Sequence, residues 1–414
     1  MLLQRFFQKL GLRSLLSHAV RFEQRNNRYA ISESLLAWLY PLILGLGRVE
    51  TTRLLQRNGV FQYLTGLPTY PDPQTLRRFL LRFGEAGVGA FQHLHDALRL
   101  ALVQWPHPPA SLVFDWDTTV LTVYGKHQRA AIGYNPKKRG RPSYLPLLCF
   151  EGHTRDCWEA SYHPGDTPLS AVVLPAFDQV FAKVPPGVRE VRVRADKAFY
   201  DHEIVENIEA HRAFYVIGAR LTQPLQERVA AARYQRVSGE VAAAEFQYQP
   251  LRWPGPRRFI AIRRPLPEEP SWQLTLWRLG RYTYQVLVTN LALEPLPLWR
   301  FYNDRAEAEL IIRELKEAYA MGKIPTSSWA ANVGHFQLVV FAYNLLNWFK
   351  RLCVPPAWAK LTLQTLRNRL LLIPAELIRP QGKPILKMPR SYPHQEPFLQ
   401  TLKKVNRLRR FRLT

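Results

Sequence analysis

Ser111–Leu121, SLVFDWDTTVL, constrains the fold more than any other stretch of this chain. Apolar and polar residues alternate with a period of two, the pattern of a strand whose successive side chains take opposite faces. Leu112, Phe114 and Trp116 point one way, and Val113, Asp115 and Asp117 the other. Two carboxylates on one face of so apolar a strand are costly unless they are paired or bound to a cation. Within Glu190–Tyr200, EVRVRADKAFY, a second short strand ends in Asp196 and leads into a helix at Asp201–His211. Acidic residues at strand mouths are where α/β sheets build sites. A single strand-end Asp is also a common helix cap.

A third carboxylate lies in Phe301–Lys316, FYNDRAEAELIIRELK. Read as one helix, it places Tyr302, Arg305, Glu309 and Lys316 within roughly 60° of one another. Ala308, Ile311, Ile312 and Leu315 then face a core. A carboxylate aligned with an Arg, a Lys and a phenol suits a metal ion beside a phosphodiester. A solvated face of local ion pairs, such as Lys316 with Glu309 or Glu317, is the plainer alternative.

The order Asp117, Asp196, Glu309, with the glutamate inside Y-x2-R-x3-E-x6-K, resembles the DDE transposases of bacterial insertion sequences. The stretches DTT, RADKAFYD and YNDRAEAELIIRELK carry that resemblance. GYNPKKRGRPSYLPLL (Gly133–Leu148) and PTSSWAANVGHFQLVVFAYNLLNWFKRL (Pro325–Leu352) narrow it to the thirteen-eighty family of insertion sequences. It covers roughly residues 1–355. Asp115 and Asp117 both suit the first acidic position, and the DTT match favours Asp117.

The resemblance implies an α/β fold: an RNase H-like catalytic core with a β-strand insertion, a helical N-terminal domain and a basic C-terminal region. It implies a cut-and-paste enzyme that binds its element's ends, hydrolyses phosphodiesters and joins 3′-OH ends to target DNA. Two divalent cations, Mg²⁺ or Mn²⁺, would be held by Asp117 as the bridging ligand, Asp196 and Glu309. The expected partners are double-stranded DNA, both terminal inverted repeats and target, and a second copy of the chain on paired ends. Two rivals remain: an RNase H-like nuclease that cuts without joining, and a non-catalytic DNA-binding protein derived from a transposase.

Charge points the same way. The chain carries +25 over 414 residues, and residues 350–414 hold 15 Lys+Arg against 2 Asp+Glu. A surplus of that size points to a polyanion partner. Three cysteines, Cys149, Cys157 and Cys353, form neither a disulfide framework nor a C-x-x-C zinc pair. They fit a reduced, cytoplasmic and nucleoid-associated protein. The longest apolar runs, near Leu35–Leu46 and Leu338–Leu346, are too short or interrupted to span a bilayer. The Arg-rich, acid-poor N-terminus resembles an organellar presequence but runs straight into folded sequence.

The domain layout follows. Residues 1–105 read as a helical DNA-binding domain, and Asp72-Pro73 is a helix start. With a helix near Thr51–Arg57, that helix would make a reader, Arg77 and Arg78 facing DNA, or else part of a plain bundle with a basic face. Residues 111–219 hold the first part of the core, with strands near 111–124, 144–151, 157–163, 189–195 and 213–219. Residues 220–297 read as a β-rich insertion with strands at Ala243–Tyr248, Arg258–Arg263, Gln273–Trp277 and Tyr282–Thr289. Residues 298–352 complete the core with the glutamate helix, Tyr302–Tyr319, and a buried apolar helix, His335–Leu352. Residues 353–414 form a basic region broken by prolines, with a last helix at Phe398–Phe411.

Three groups are assigned to DNA besides Arg77 and Arg78. Tyr302, Arg305 and Lys316 would hold phosphates beside the scissile bond. Lys137, Lys138, Arg139 and Arg141 of KKRGRP resemble a minor-groove binding segment, or else form an ordinary charged hairpin loop. Trp253, among the tryptophans of the insertion, is the first choice to stack on a displaced base.

Overall fold

The computed structural model describes residues 1–24, 28–67, 69–103, 109–266 and 277–409. Helices α1 (Leu2–Leu10), α2 (Leu12–Ala19), α3 (Ile31–Leu44), α4 (Arg53–Gln56), α5 (Gly59–Thr65), α6 (Pro73–Arg82) and α7 (Val88–Val103) come first. They lead to β1 (Ser111–Thr118), β2 (Leu121–Thr122), β3 (Ala131–Ile132), β4 (Pro142–Glu151) and β5 (Cys157–Pro164). Helix α8 (Leu169–Ala182), β6 (Glu190–Ala195), α9 (His202–Ala210) and β7 (Phe214–Gly218) follow. Next are α10 (Gln223–Ala230), β8 (Gln235–Ser238), β9 (Val241–Tyr248), β10 (Arg257–Pro265), β11 (Trp277–Leu279) and β12 (Tyr282–Thr289). The chain ends with α11 (Pro295–Asn303), α12 (Ala306–Glu317), α13 (Trp329–Cys353), α14 (Pro356–Ala359), α15 (Leu363–Leu366), β13 (Glu376–Ile378), β14 (Ile385–Lys387) and α16 (Gln395–Arg407).

These elements form two compact units, each assembled from separated stretches. One takes Met1–Leu102, Leu121–Tyr144 and Ile311–Thr414; the other takes Val103–Val120 and Leu145–Leu310.

The first unit is built on α13. This helix is apolar almost all round and buried along most of its length, as its composition dictates. Helices α3, α6 and α16 pack on it. Between α6 and α7, Phe83–Gly87 forms a π-helical turn. Gly84 there meets α13 backbone to backbone: a Cβ on it would lie 1.9 Å from the Ala330 carbonyl oxygen. Asp72 caps α6 as its sequence predicts, accepting from the Gln74 and Thr75 amides. The stretch that reads as a long loop before it contains α5, so the two proposed reader helices are not consecutive.

Residues 353–409 are folded rather than trailing. Phe398, Thr401 and Val405 of α16 are buried. Arg5 and Lys9 of α1 bond to Asn406 and Leu408, and the Lys404 ammonium reaches the Val354 carbonyl at 3.1 Å. Arg367 is itself buried, bonding the carbonyls of Ile43 and Ala318. Part of the basic excess is therefore spent on packing, and the last helix ends at Arg407; residues 410–414 lie outside the described residues.

The second unit is a mixed α/β layer on one large sheet. β1 runs antiparallel to β4 and parallel to β6, and β6 runs parallel to β7; β5 pairs with β4. Helix α8 covers one face, where the Phe177 ring lies 4.4 Å from that of Trp116. Sequence reading passes over α8 because Gly165, Pro168 and Pro175 look like breakers. Pro168 instead stands at the N-cap, and Pro175 is carried inside the helix.

The insertion extends the same sheet. β12 pairs antiparallel with β7, and β10, β9 and β8 follow outward. The strand expected at Gln273–Trp277 falls outside the described residues except for Trp277, where β11 begins. Helix α11 lies on the face opposite α8. Leu298 and Tyr302 pack there with Val216, Ile260, Ile262 and Leu287.

Candidate active site

Sheet register brings the first two acids together. Asp115 sits opposite Arg194, and Arg194 opposite Val216. Two residues on, each strand ends, so Asp117, Asp196 and Gly218 lie side by side at the C-terminal edge of three parallel strands. All three fall on the face that α11 covers. A Cβ on Gly218 would lie 2.9 Å from the Tyr302 hydroxyl and 3.1 Å from the Lys197 amide nitrogen. The missing side chain is what lets Tyr302 reach this corner.

The stretch that carries Tyr302, Arg305 and Glu309 is not one continuous helix. Helix α11 stops at Asn303 and α12 starts at Ala306. Across the joint, the Arg305, Glu307 and Ala308 amides bond three residues back, to Tyr302, Asp304 and Arg305. The expected stripe at 100° per residue is thus broken after Tyr302. Arg305 and Glu309 still meet, the guanidinium bonding the carboxylate at 2.6 Å.

Asp115 and Asp117 have different partners. Arg194 grips Asp115 with two parallel bonds, Nε to Oδ1 at 2.5 Å and Nη2 to Oδ2 at 2.8 Å. Its third nitrogen bonds the Phe301 carbonyl at 2.8 Å, and its plane lies over the Phe301 ring. Arg194 thereby ties β1 and β6 to the end of α11. Sequence reading missed it; the signal was an Arg inside a buried strand, at the register partner of an Asp.

Asp117 looks toward Arg305 instead, with Nη1 3.6 Å from Oδ2. That nitrogen has no hydrogen-bond partner although it is buried. Burial pushes the Asp117 carboxyl up to about 7; Arg305 pulls it down, while the charges of Asp196 and Glu309 push it up again. Burial works against the charge on Arg305, but Tyr302, Asp117, Glu309 and Asp196 hold it firmly protonated. Asp196 is half-buried, and its Oδ1 accepts from the Ala198 amide at 2.9 Å, so it also caps the turn Lys197–Phe199. Glu309 is the most open of the three, with a side chain 56% exposed. The nearby Glu307 is taken by Arg155.

Among the described residues, no group of three or more His, Cys, Asp or Glu side chains is gathered tightly enough to hold a metal as they stand. A guanidinium lies among the three acids. The donor set nonetheless fits a hard divalent cation, being all carboxylate oxygen. One arginine does not offset the acids, since Asp117 keeps a raised pKa beside it.

The other predicted residues fall as follows. Tyr302 is buried with its ring centre 5.7 Å from the Arg305 guanidinium, so it supports the corner and is not open to solvent. Lys316 is half-buried further along α12, in the other compact unit. Lys137, Lys138, Arg139 and Arg141 are all exposed on a turn set by Gly140 at φ +71° and by buried Asn135. Arg77 pairs with Glu50, whereas Arg78 is exposed. Trp253 corrects the sequence reading: it is only 7% exposed and packs on Tyr200 at 5.2 Å between ring centres. A ring buried that way is a core residue of the β9–β10 connection and offers no face for a base.

Among the described residues, no helix is long and apolar enough to cross a membrane. A comparison with curated proteins finds no match. Among solved structures the chain is similar to the piggyBac transposase synaptic complex with hairpin DNA, at 13% identity and a TM-score of 0.46, covering 83% of this chain and 74% of that one. The family described as "Transposase DDE domain group 1" matches residues 1–410. A match over nearly the whole length fixes the family: this chain belongs to the DDE transposases of domain group 1.

Proposed function

We propose that the chain is the transposase of a bacterial insertion sequence of the thirteen-eighty kind, acting on nucleoid DNA as a homodimer on paired element ends. It cuts those ends and joins the freed 3′-OH groups to target DNA. The observation that carries this reading is the β1–β6 register, with Asp117 and Asp196 adjacent at the strand ends and Glu309 drawn in through Arg305. The strand order β5-β4-β1-β6-β7 supports an RNase H-like core, interrupted between 220 and 297 by the sheet extension. Residues 1–105 and the basic region 353–414 would then flank it as DNA-binding parts.

Asp117, Asp196 and Glu309 are the residues that would hold Mg²⁺ or Mn²⁺. When bound, such ions supply charge neutralisation and Lewis-acid activation at the phosphodiester. The chain's own groups do the rest. Arg305 neutralises the acids in the resting site and has one buried nitrogen without a hydrogen-bond partner, a donor suited to a phosphate oxygen. Arg194 positions the strand end by holding Asp115 and the end of α11 together. Lys316 and the exposed KKRGRP turn contact the DNA backbone, with Tyr124, Ile132 and Tyr134 exposed beside that turn.

The test combines labelled element-end DNA, a target plasmid and Mg²⁺. Joined product is the expected result. Cut ends without joining would replace this reading by a hydrolytic nuclease, and a shifted band alone would replace it by a DNA-binding protein.

A further inference from the structure

The first unit contains a cavity of about 520 Å³ that has no part in the chemistry above. Its size lies within the roughly 300–1,000 Å³ of small-molecule sites. Trp38, Leu42, Val49, Val123 and Ile324 form apolar walls. Arg48 and Lys323 stand exposed at its rim and make no ion pair among the described residues. Arg77 also lines it, but its charge is offset by Glu50.

The cavity has a polar point inside. His335 lines it, is 5% exposed, and packs edge-on against Trp38 with ring centres 5.6 Å apart. Its Nε2 lies 3.4 Å from the Ala320 carbonyl, which assigns the ring proton to that nitrogen. Its Nδ1 has no hydrogen-bond partner. Burial lowers the His335 pKa to about 4, so the ring is neutral at pH 7. The bare Nδ1 is therefore a buried acceptor without a donor, which costs free energy until a donor arrives.

An occupant must bring three things: a flat apolar body, a hydrogen-bond donor at its inner end, and negative charge at the rim. We propose that this cavity binds a single nucleotide, its base placed against Trp38 and donating to His335 Nδ1, its phosphate between Arg48 and Lys323. The nucleotide can come from two sources, a free monophosphate or an unpaired residue of a DNA strand. DNA is favoured because the rim is continuous with the exposed basic turn: Tyr124, which lines the cavity, carries the Arg141 guanidinium 5.8 Å from its ring centre. That choice of source rests on the function proposed above; the cavity chemistry does not.

The experiment titrates the full-length protein, without divalent cation, against deoxyadenosine 5′-monophosphate by calorimetry, with inorganic phosphate as control. The monophosphate should bind, and phosphate alone should bind at least about tenfold more weakly. R48E and K323E should each weaken the monophosphate at least about tenfold while leaving the melting curve unchanged. H335L should remove the contribution of the base, so that the monophosphate binds no better than phosphate. If H335L fails to fold, the two rim variants decide.

A second arm uses a duplex with one unpaired 2-aminopurine. Tighter binding than to the paired duplex, with loss of its fluorescence, assigns the site to DNA. Monophosphate binding without that preference assigns it to a free nucleotide. No monophosphate binding and no preference for the unpaired duplex overturns the proposal, as does binding that survives R48E, K323E and H335L alike. End cleavage by the same preparations keeps the two readings apart: cleavage without nucleotide binding sinks only the cavity, and binding without cleavage sinks only the transposase.

Discussion

Two arginine–carboxylate pairs lie two residues apart along β1, and they differ in kind. At mid-strand, Asp115 and Arg194 are 3% and 5% exposed, joined by two bonds, and a third arginine nitrogen is taken by a carbonyl. At the strand end, Arg305 divides itself between Asp117 and Glu309, leaves one nitrogen without a hydrogen bond, and faces more negative charge than it offsets. The first pair is closed, and every polar group has a partner. The second is incomplete, and incompleteness at a sheet mouth is what a substrate or cation site requires. The difference separates a residue needed for folding from one needed for chemistry, although the two are neighbours in sequence and share a face.

The sharpest way to break the comparison is to exchange the two aspartates for asparagine in turn. Asp117→Asn should lower end cleavage by about a thousandfold or more while the protein stays folded and binds DNA. Cleavage by Asp117→Asn but not by a folded Asp115→Asn would show that the closed pair is the working one. Next in size, Asp115→Ala should cost about 3–5 kcal/mol in urea unfolding, because it leaves the Arg194 charge buried without its partner. A loss under about 1 kcal/mol would mean that water reaches this pair.

The third effect depends on pH. The Asp117 carboxyl is raised from 3.8 to about 7 in the folded chain. A raised folded value means that the fold favours the protonated form. The stabilisation is full below the unfolded value near 4 and is lost as pH rises through about 7. Without divalent cation, Asp117→Asn should therefore be more stable than the parent at pH 8, by up to about 4 kcal/mol, and equal to it near pH 3. Equal melting at both pH values would show that Arg305 already offsets the charge. The smallest effect expected is that of Gly218→Ala. Crowding the Tyr302 hydroxyl and the Lys197 amide should cost about 1–3 kcal/mol and shift the loop that carries Asp196. Cleavage should fall further than stability alone explains; an unchanged cleavage rate would mean the corner tolerates the shift.

Much of this was legible in the chain. Period-two alternation found β1 with Asp115 and Asp117 on its polar face, and Asp72-Pro73 marked the start of α6. What stayed hidden depended on tertiary geometry. The choice between the two aspartates needed Arg194, whose relevance comes from a strand register 79 residues away. The broken helix at Asp304–Arg305 was invisible because a three-residue bonding step leaves no mark in an otherwise helical pattern. Helix α8 was lost behind its prolines, and the burial of Trp253 depended on a contact with Tyr200. The cavity draws its lining from segments near 38–52, 122–127 and 322–335, which no periodicity connects.

The ladder between β7 and β12 matters to anyone who wishes to shorten this protein. Residues 220–297 look like a cassette that could be trimmed to leave a smaller cutting enzyme. Leu287, Val288 and Thr289 are nevertheless the hydrogen-bonding neighbours of Gly218, Ile217 and Val216. Excision would bare the backbone of the strand beside Asp196 and open a sticky border to other chains. It would also strip the apolar bed from Tyr302. A miniaturised version must therefore keep β12, or replace it with another strand, before any catalytic question can be asked of it.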